Sequence, residues 1–262
     1  MISLEQIRQY YPAIISDNSL NQKYILKEYI QLMVLDFLSN TVYVKQIRFI
    51  GGTYLRLVHG IDRFSEDIDF DCKNMSETEF YKMTDEVILF LKRSGFNIEE
   101  REKTSKKLVA FRRNIYFPSL LFDLKLTGHR EERFLLKIET QDQQIEYPVQ
   151  FKNITGCGFF FAFPAPTDEV LCAMKISAML SRQKGRDFYD VLFLLGFTQP
   201  DYTFLSAKCG IDTVISLKKA IDEMLDKTNI KNKARDFEHL LFNKQHAARI
   251  LQFKTISQEL LK

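Results

Sequence analysis

Two aspartates one residue apart, Asp67 and Asp69, lie in a stretch that alternates between acidic and apolar residues. This period-two alternation predicts a β-strand, in which side chains at i and i+2 point to the same side. Strand geometry places their Cβ atoms about 7 Å apart, so the two carboxylates can converge on metal ions. Mg²⁺ prefers carboxylate oxygen, and two such ions about 3.5–4 Å apart promote phosphoryl transfer. The pair therefore predicts metal-dependent phosphoryl chemistry, whereas Asp71 would lie about 13 Å from Asp67 and outside the metal pair.

A glycine turn precedes this strand. Gly51 and Gly52 follow a predicted strand at 46–50 and precede a predicted short helix at 53–59. Backbone N–H groups of such a turn can approach phosphate oxygens, and the N-terminus of the following helix attracts anions. A glycine pair or an acidic strand alone is most often an ordinary turn or a solvated face, but their combination favours a nucleotide site. The residues predicted to bind the nucleotide are Gly51, Gly52, Thr53, Arg56, Arg63 and Ser65.

A second polar cluster lies on two predicted helices further along the chain. Lys175 and Arg182 share one face of the first helix, and Asp187 and Asp190 share one face of the second. Lys175 could reach a triphosphate as a point charge, inside the positive field of Arg182 and its basic neighbours. The structural alternative is a network of ion pairs between the arginines and the two aspartates.

These segments resemble the signatures of a known family. The run GGTYLRLVHGIDRFSEDIDFDC at 51–72, and the segment 169–175 followed by 182–190, are similar to the AbiEii toxin-like nucleotidyltransferases of abortive infection. That family is a branch of the DNA polymerase β-type superfamily. The resemblance implies catalytic roles for Lys175 and Asp187, with NTP as the substrate.

The resemblance also implies a third carboxylate on a neighbouring strand, as a base for the acceptor hydroxyl or a ligand of the second metal ion. Glu139 is the first candidate and Asp123 the second, because both alternate with apolar neighbours as half-buried strand residues do. Periodicity alone does not place either beside Asp67. The predicted metal ligands are thus Asp67, Asp69 and Glu139, holding two Mg²⁺ ions, with Mn²⁺ as an alternative.

The composition is that of a folded globular protein. The chain has 262 residues, 45% of them hydrophobic, and a formal net charge of +3, which is compatible with an RNA or nucleotide partner without indicating one. Its four cysteines are widely spaced, so no zinc site or disulfide framework is expected. With no signal-peptide pattern and no apolar run approaching the 20 or so residues of a membrane span, we expect a cytoplasmic protein without a membrane partner.

The element pattern changes at Pro164 and Pro166. We predict an α+β nucleotidyltransferase domain at 1–165, a mixed β-sheet with flanking helices, followed by an all-α helical bundle at 166–262. Further predicted strands lie at 64–72, 96–102, 107–117, 120–126, 133–141 and 157–163. A further short helix is predicted at 3–11, and other helices are predicted at 19–39, 77–94, 168–182, 186–196, 201–209, 212–227, 232–242 and 246–261.

The predicted reaction moves a nucleoside monophosphate from an NTP to a hydroxyl and releases pyrophosphate, with Lys175 neutralising charge on the leaving group. The resemblance implies a toxin or phage-defence enzyme that acts on RNA, such as tRNA, or on protein, with a cognate antitoxin as partner. One alternative is an enzyme that modifies an antibiotic or metabolite. A second is a non-catalytic protein that binds nucleic acid or a partner on the same scaffold.

Overall fold

The computed structural model describes residues 3–100 and 110–262. The chain forms a mixed α+β fold with a small mixed sheet and many helices. It divides into two compact units. The first contains Met1–Gly60, Phe64–Gln144 and Phe151–Ala165, and the second contains Ile61–Arg63, Ile145–Gln150 and Pro166–Lys262.

A five-stranded sheet lies in the first unit. Its strands are β1 (Ile47–Ile50), β2 (Asp67–Cys72), β3 (Glu99–Glu100), β4 (Phe111–Phe117) and β5 (Phe134–Gln141). They are arranged in the order β1-β2-β5-β4-β3. Of the described pairs, β2–β5 is parallel and the others are antiparallel. The strand predicted at 64–72 is confirmed over β2, and those predicted at 46–50 and 133–141 are confirmed over β1 and β5.

The helices of the first unit flank this sheet. They are α1 (Leu4–Arg8), α2 (Ala13–Ser16), α3 (Gln22–Ser39), α4 (Gly51–His59), α5 (Glu77–Arg93) and α6 (Leu120–Asp123), with 3₁₀ turns at Ser19–Asn21 and Val42–Lys45. The Ser76 capping box begins α5 as predicted. The Phe37 ring on α3 stacks on Phe90 of α5 with centroids 4.5 Å apart. In the core, the rings of Phe49 on β1 and Phe70 on β2 pack against each other with centroids 6.1 Å apart.

The strand predicted at 120–126 is wrong. Leu120 to Asp123 form helix α6, entered through Ser119 in the left-handed region at φ +56° and followed by Lys125 at φ +57°. The backbone N–H of Asp123 donates to the Ser119 carbonyl, which closes a helical turn. A short apolar run is compatible with either a strand or a buried helical turn, and here the turn geometry at both ends decides for the helix.

Two further strands form a separate two-stranded sheet. They are β6 (Val149–Gly156), which the sequence pattern did not predict, and β7 (Phe159–Pro166). Cys157 and Gly158 connect them, both with positive φ, as a tight two-residue hairpin turn requires. The strand predicted at 157–163 therefore begins two residues later and runs through both prolines. Strand β3 and β4 cover parts of the predicted strands 96–102 and 107–117, whose residues 101–109 lie outside the described ones.

The second unit is built mainly from helices. They are α7 (Asp168–Arg182), α8 (Gly185–Leu195), α9 (Tyr202–Cys209), α10 (Val214–Leu225), α11 (Ile230–Arg235) and α12 (Phe253–Leu260), with 3₁₀ segments at Glu238–Leu240 and Lys244–Gln252. Helix α7 matches its prediction at both ends. The core of the second unit includes an edge-on contact between the rings of Phe188 on α8 and Phe253 on α12, whose centroids are 5.1 Å apart. In the described part of the chain, no helix combines the length and hydropathy needed to cross a membrane.

Candidate active site

The carboxylates predicted to bind metal lie on two adjacent parallel strands. Asp69 of β2 is the register partner of Glu139 of β5, and Asp67 is the partner of Lys137. The apolar residues of β2 at alternate positions, Ile68 and Phe70, are buried in the core, while Asp67 and Asp69 are half-buried on the opposite face. The period-two pattern thus holds, and pairing in register brings Glu139 beside Asp69.

Two cations from the same sheet contact these carboxylates. Lys137 Nζ lies 3.2 Å from Asp67 Oδ2 and 3.7 Å from Glu139 Oε1. Arg112, the register partner of Glu139 on β4, places its Nε 2.5 Å from Glu139 Oε1. The acidic face therefore carries internal counter-ions in this state.

Gly51 packs directly against Asp69. Its φ is +85°, and a Cβ atom added there would lie 2.2 Å from Asp69 Oδ2. A side chain at this position would thus be strained by its backbone and would collide with the carboxylate. Only glycine allows the first residue of α4 to approach the acidic strand this closely.

Thr53 and Gln31 connect the glycine turn to the strand. The buried Thr53 hydroxyl donates a hydrogen bond to the Asp67 carbonyl, which fixes α4 against β2. The Gln31 amide on α3 donates to the Ser65 carbonyl at 3.2 Å. Arg56, predicted to bind the nucleotide, makes a two-point ion pair with the buried Glu28 at 2.8 and 3.2 Å.

Arg63 lies in the second unit, in a buried ion cluster. Its side chain is 1% exposed, and it donates to both oxygens of the fully buried Asp190 on α8 at 2.8 and 2.7 Å. Lys175 on α7, 7% exposed, donates to Asp190 Oδ2 at 2.8 Å. Burial alone would raise the pKa of the Asp190 carboxyl, but Arg63 and Lys175 outweigh it and hold that pKa below its usual value. The Asp190 carboxylate thus accepts hydrogen bonds from both cations.

Arg182 and Asp187 pair with each other. Arg182 donates to both oxygens of Asp187 at 2.9 and 2.7 Å. The Asp187 carboxylate is fully buried and also accepts the backbone N–H of Lys184 at 3.1 Å, which caps helix α8. The ion-pair alternative raised for this cluster therefore describes Asp187, while Asp190 is paired with Lys175 and Arg63.

The carboxylates, the glycine turn and the basic cluster all lie within the part of the chain that matches a single family model. Residues 34–255 match the family model described as "Nucleotidyl transferase AbiEii toxin, Type IV TA system", which covers most of the chain. The chain belongs to the AbiEii nucleotidyltransferase toxin family. It is accordingly a nucleotidyltransferase of the toxin–antitoxin type. No curated protein sequence matches it closely enough to indicate a relationship.

Solved structures with low sequence identity share the fold of this AbiEii-family protein. MenT4, a nucleotidyltransferase toxin from Mycobacterium tuberculosis, superimposes with a TM-score of 0.61 at 17% identity, over 99% of this chain and 90% of that one. JHP933 from Helicobacter pylori superimposes with a TM-score of 0.55 at 17% identity, over 90% of this chain and 91% of that one.

Enzymes of this family use an NTP and a divalent metal ion. The donor set formed by Asp67, Asp69 and Glu139 suits such an ion, because hard cations such as Mg²⁺ take carboxylate oxygens. Within the described residues, no group of three His, Cys, Asp or Glu side chains already stands in a metal-binding arrangement. Asp67 and Glu139 form ion pairs with Lys137 and Arg112, respectively.

The remaining acidic candidates lie elsewhere. Asp123 is exposed on α6 and accepts a hydrogen bond from the Ser119 hydroxyl at 2.7 Å. Asp71 is buried and accepts the backbone N–H of Gln143 at 2.9 Å, so it supports the chain after β5.

Three basic residues near the acidic face were missed from the sequence: Lys27, Arg112 and Lys137. Lys27 Nζ lies 5.5 Å from the centroid of the Phe134 ring. Burial lowers the pKa of its ammonium, the carboxylates of Glu66 and Asp67 act in the opposite direction, and Lys137 lowers it further. The alternation of β5 could have shown that Lys137 shares a face with Glu139. Nothing local to α3 or β4 indicates that Lys27 or Arg112 belongs near this face.

Proposed function

We propose that Asp67, Asp69 and Glu139 form the metal-binding centre of this nucleotidyltransferase, holding two Mg²⁺ ions. The observation that carries this proposal is the register pair Asp69–Glu139, with Asp67 on the same face of β2. When bound, the metal ions neutralise the phosphates and polarise the α-phosphorus of the NTP.

The glycine turn is our candidate for the phosphate-binding element. Gly51 and Gly52 begin α4, so their backbone N–H groups belong to a helix N-terminus that favours anions. Thr53 supports this turn through its bond to the Asp67 carbonyl. We assign Ser65 to the phosphates and Arg56 to a supporting role, because its guanidinium is already held by Glu28.

The basic cluster of the second unit is our candidate for the leaving-group side. Arg63 and Lys175 both donate to the Asp190 carboxylate, and a lysine ammonium is a point charge that can bind an anion such as pyrophosphate. We assign Lys175 to contact the triphosphate, and Arg63 to hold Asp190. Arg182 and Asp187 position the start of α8. In this proposal, residues 1–165 act as the nucleotidyltransferase domain and residues 166–262 form a separate helical domain.

The proposed reaction transfers a nucleoside monophosphate to a hydroxyl of RNA. The acceptor oxygen attacks the α-phosphorus, the bond to the pyrophosphate oxygen breaks, and the hydroxyl proton passes to a carboxylate, for which Glu139 is our candidate. An RNA acceptor, such as the 3′ end of tRNA, fits a toxin that acts in the cytoplasm. A protein hydroxyl is the other acceptor that the assay must include. The family is a toxin–antitoxin family, so a cognate antitoxin is the expected partner.

The test is transfer of label from each α-labelled NTP, with Mg²⁺ or Mn²⁺, to total RNA or to total protein. Wild type is compared with Asp67→Asn, Asp69→Asn and a control, Asp17→Asn, which alters an exposed ion pair with Arg8. We expect label in RNA with wild type and the control, and none with the two active-site variants, because an amide is a poor ligand for Mg²⁺. Near-wild-type transfer by either variant would overturn the metal assignment, and label in protein would overturn the RNA acceptor.

A further inference from the structure

Lys137 stands between two possible hydrogen-bond acceptors on neighbouring strands. It occupies the central strand β5, with Asp67 as its register partner on β2 and Asn114 as its register partner on β4. Directly opposed residues in a sheet have Cβ atoms about 4.5–5.5 Å apart. A lysine side chain can therefore reach either neighbour without any movement of the backbone.

In the present state the ammonium lies on the acidic side. Lys137 Nζ is 3.2 Å from Asp67 Oδ2 and 3.7 Å from Glu139 Oε1, so it contacts carboxylates of both strands. Asp67 and Lys137 are each about one-fifth to one-quarter exposed, so water screens this pair only partly. A divalent cation that binds Asp67 through Oδ2 must displace this ammonium.

The opposite side offers an acceptor without a donor. Asn114 Oδ1 is buried, and no hydrogen-bond donor reaches it from any residue in the ranges that the structure describes. A buried carbonyl oxygen without a partner is destabilising, so native structures usually satisfy such atoms. This acceptor lies on β4, where Asn114 is the register partner of Lys137.

We propose that Lys137 is a two-position counter-ion that couples metal binding to nucleotide binding. Without nucleotide, it neutralises Asp67 and Glu139 and keeps a free divalent ion from binding there. When the metal arrives with an NTP, Lys137 moves to Asn114 Oδ1, and the metal takes its place on Asp67. This inference rests on the proposed function of the carboxylates.

Charge balance explains why the nucleotide is needed. The face holds the three carboxylates of Asp67, Asp69 and Glu139 and the two cations Lys137 and Arg112, so a divalent ion alone would leave it with a surplus of positive charge. The triphosphate brings its own negative charge, so the metal, the displaced ammonium and the phosphates can be accommodated together. Lys137 is thus a positioning residue, and its effect should appear in metal affinity before any chemistry takes place.

The test is Mn²⁺ binding to the full chain without nucleotide, measured by calorimetry and by electron paramagnetic resonance. We expect Lys137→Gln to raise the affinity for free Mn²⁺ by about tenfold or more, because a competing cation is lost. The matched control is Lys219→Gln, which removes one positive charge at an exposed site on α10 and should change the affinity less than twofold. Equal or weaker Mn²⁺ binding by Lys137→Gln would overturn the proposal.

A second variant tests whether Lys137 moves to Asn114, and this test does not depend on whether Lys137→Gln folds. Asn114→Leu should leave free Mn²⁺ binding unchanged and weaken Mn²⁺ binding in the presence of a non-hydrolysable NTP analogue by about fivefold or more, because the displaced ammonium loses its acceptor. Unchanged binding with the analogue would contradict the switch.

Asp67→Asn separates this inference from the proposed site. If that variant still binds Mn²⁺ with the analogue as wild type does, the carboxylate site itself is wrong. If it loses that binding while Lys137→Gln shows no gain in affinity for free Mn²⁺, the site stands and only the role of Lys137 is overturned.

Discussion

Asp69 and Glu139 face each other across the parallel strands β2 and β5 as register partners. Their separation in the sequence is large, yet the pairing puts one acidic residue from each strand on the same face of the sheet. Gly51 also packs against Asp69, so closely that a Cβ atom added at Gly51 would collide with the Asp69 carboxylate. Substitutions at these residues should therefore affect nucleotide transfer more than they affect folding.

Glu139→Gln should transfer nucleotide about 10²–10⁴-fold more slowly than wild type while binding Mg-NTP nearly as well, since Asp67 and Asp69 remain to hold the metal ion of Mg-NTP and a general base acts mainly in the transition state. Asp123→Asn is the comparison and should stay active, because Asp123 is exposed on α6 and its carboxylate accepts a hydrogen bond from the nearby Ser119 hydroxyl. The measurement is kcat from labelled transfer together with the NTP dissociation constant. A reversed pattern would move the role to Asp123.

Gly51→Ala and Gly60→Ala form a matched pair. Both glycines have positive φ, +85° and +70°, so each alanine should cost about 1–2 kcal/mol of backbone strain. A Cβ at Gly60 meets nothing within 4 Å in the described structure, whereas one at Gly51 would strike Asp69 Oδ2. We therefore expect both variants to lose stability in urea denaturation but only Gly51→Ala to lose transfer. Equal transfer rates for the two variants would contradict a role for this close approach.

Asp190→Asn should destabilise the protein strongly, by about 3–5 kcal/mol, because it leaves the buried cations Arg63 and Lys175 without their shared carboxylate. Asp17→Asn removes the same charge from an exposed ion pair and should cost less than about 1 kcal/mol. The free energy of unfolding from urea titration at neutral pH decides between these outcomes. A small effect of Asp190→Asn would mean that the cluster contributes little to stability.

The same carboxyl predicts an acid dependence. Burial raises its pKa, but Arg63 and Lys175 lower it more, so the folded-state pKa lies below the usual value of 3.8. A carboxyl group with a lowered pKa stabilises the folded state at pH values above its usual pKa. This stabilisation is lost as the pH falls through the folded-state pKa. Wild-type stability should therefore decline in acid below about pH 4, and Asp190→Asn should show a shallower decline. Parallel curves of unfolding free energy against pH would contradict this assignment.

Thiol labelling should find one reactive cysteine among four. Cys209 is exposed, while Cys72, Cys157 and Cys172 are buried. Burial raises the pKa of Cys157 to about 11 and raises that of Cys172 further, so neither supplies thiolate at neutral pH. Rapid labelling by a maleimide should reach one thiol per folded chain and disappear in Cys209→Ser. Fast labelling of that variant would show that a buried cysteine becomes accessible.

Local signals predicted many of the elements. Helix α7 was predicted at both ends, and α5 from its capping box, because helical periodicity and end residues are properties of a few adjacent positions. The segment 120–126 was mistaken for a strand, since a short apolar run carries no period long enough to separate a strand from a helical turn. Strand β6 was missed altogether.

The sequence alone determined that Asp67 and Asp69 share one face of a strand, because strand side chains alternate with period two whatever the strand pairs with. It also placed the glycine turn just before them. Only the tertiary structure decided that β5 pairs with β2, which sets Glu139 beside Asp69 and Lys137 beside Asp67. It likewise decided that Arg63 belongs to the second unit and pairs with Asp190. Strand partners and buried ion pairs depend on contacts between distant residues, and no local period or spacing encodes them.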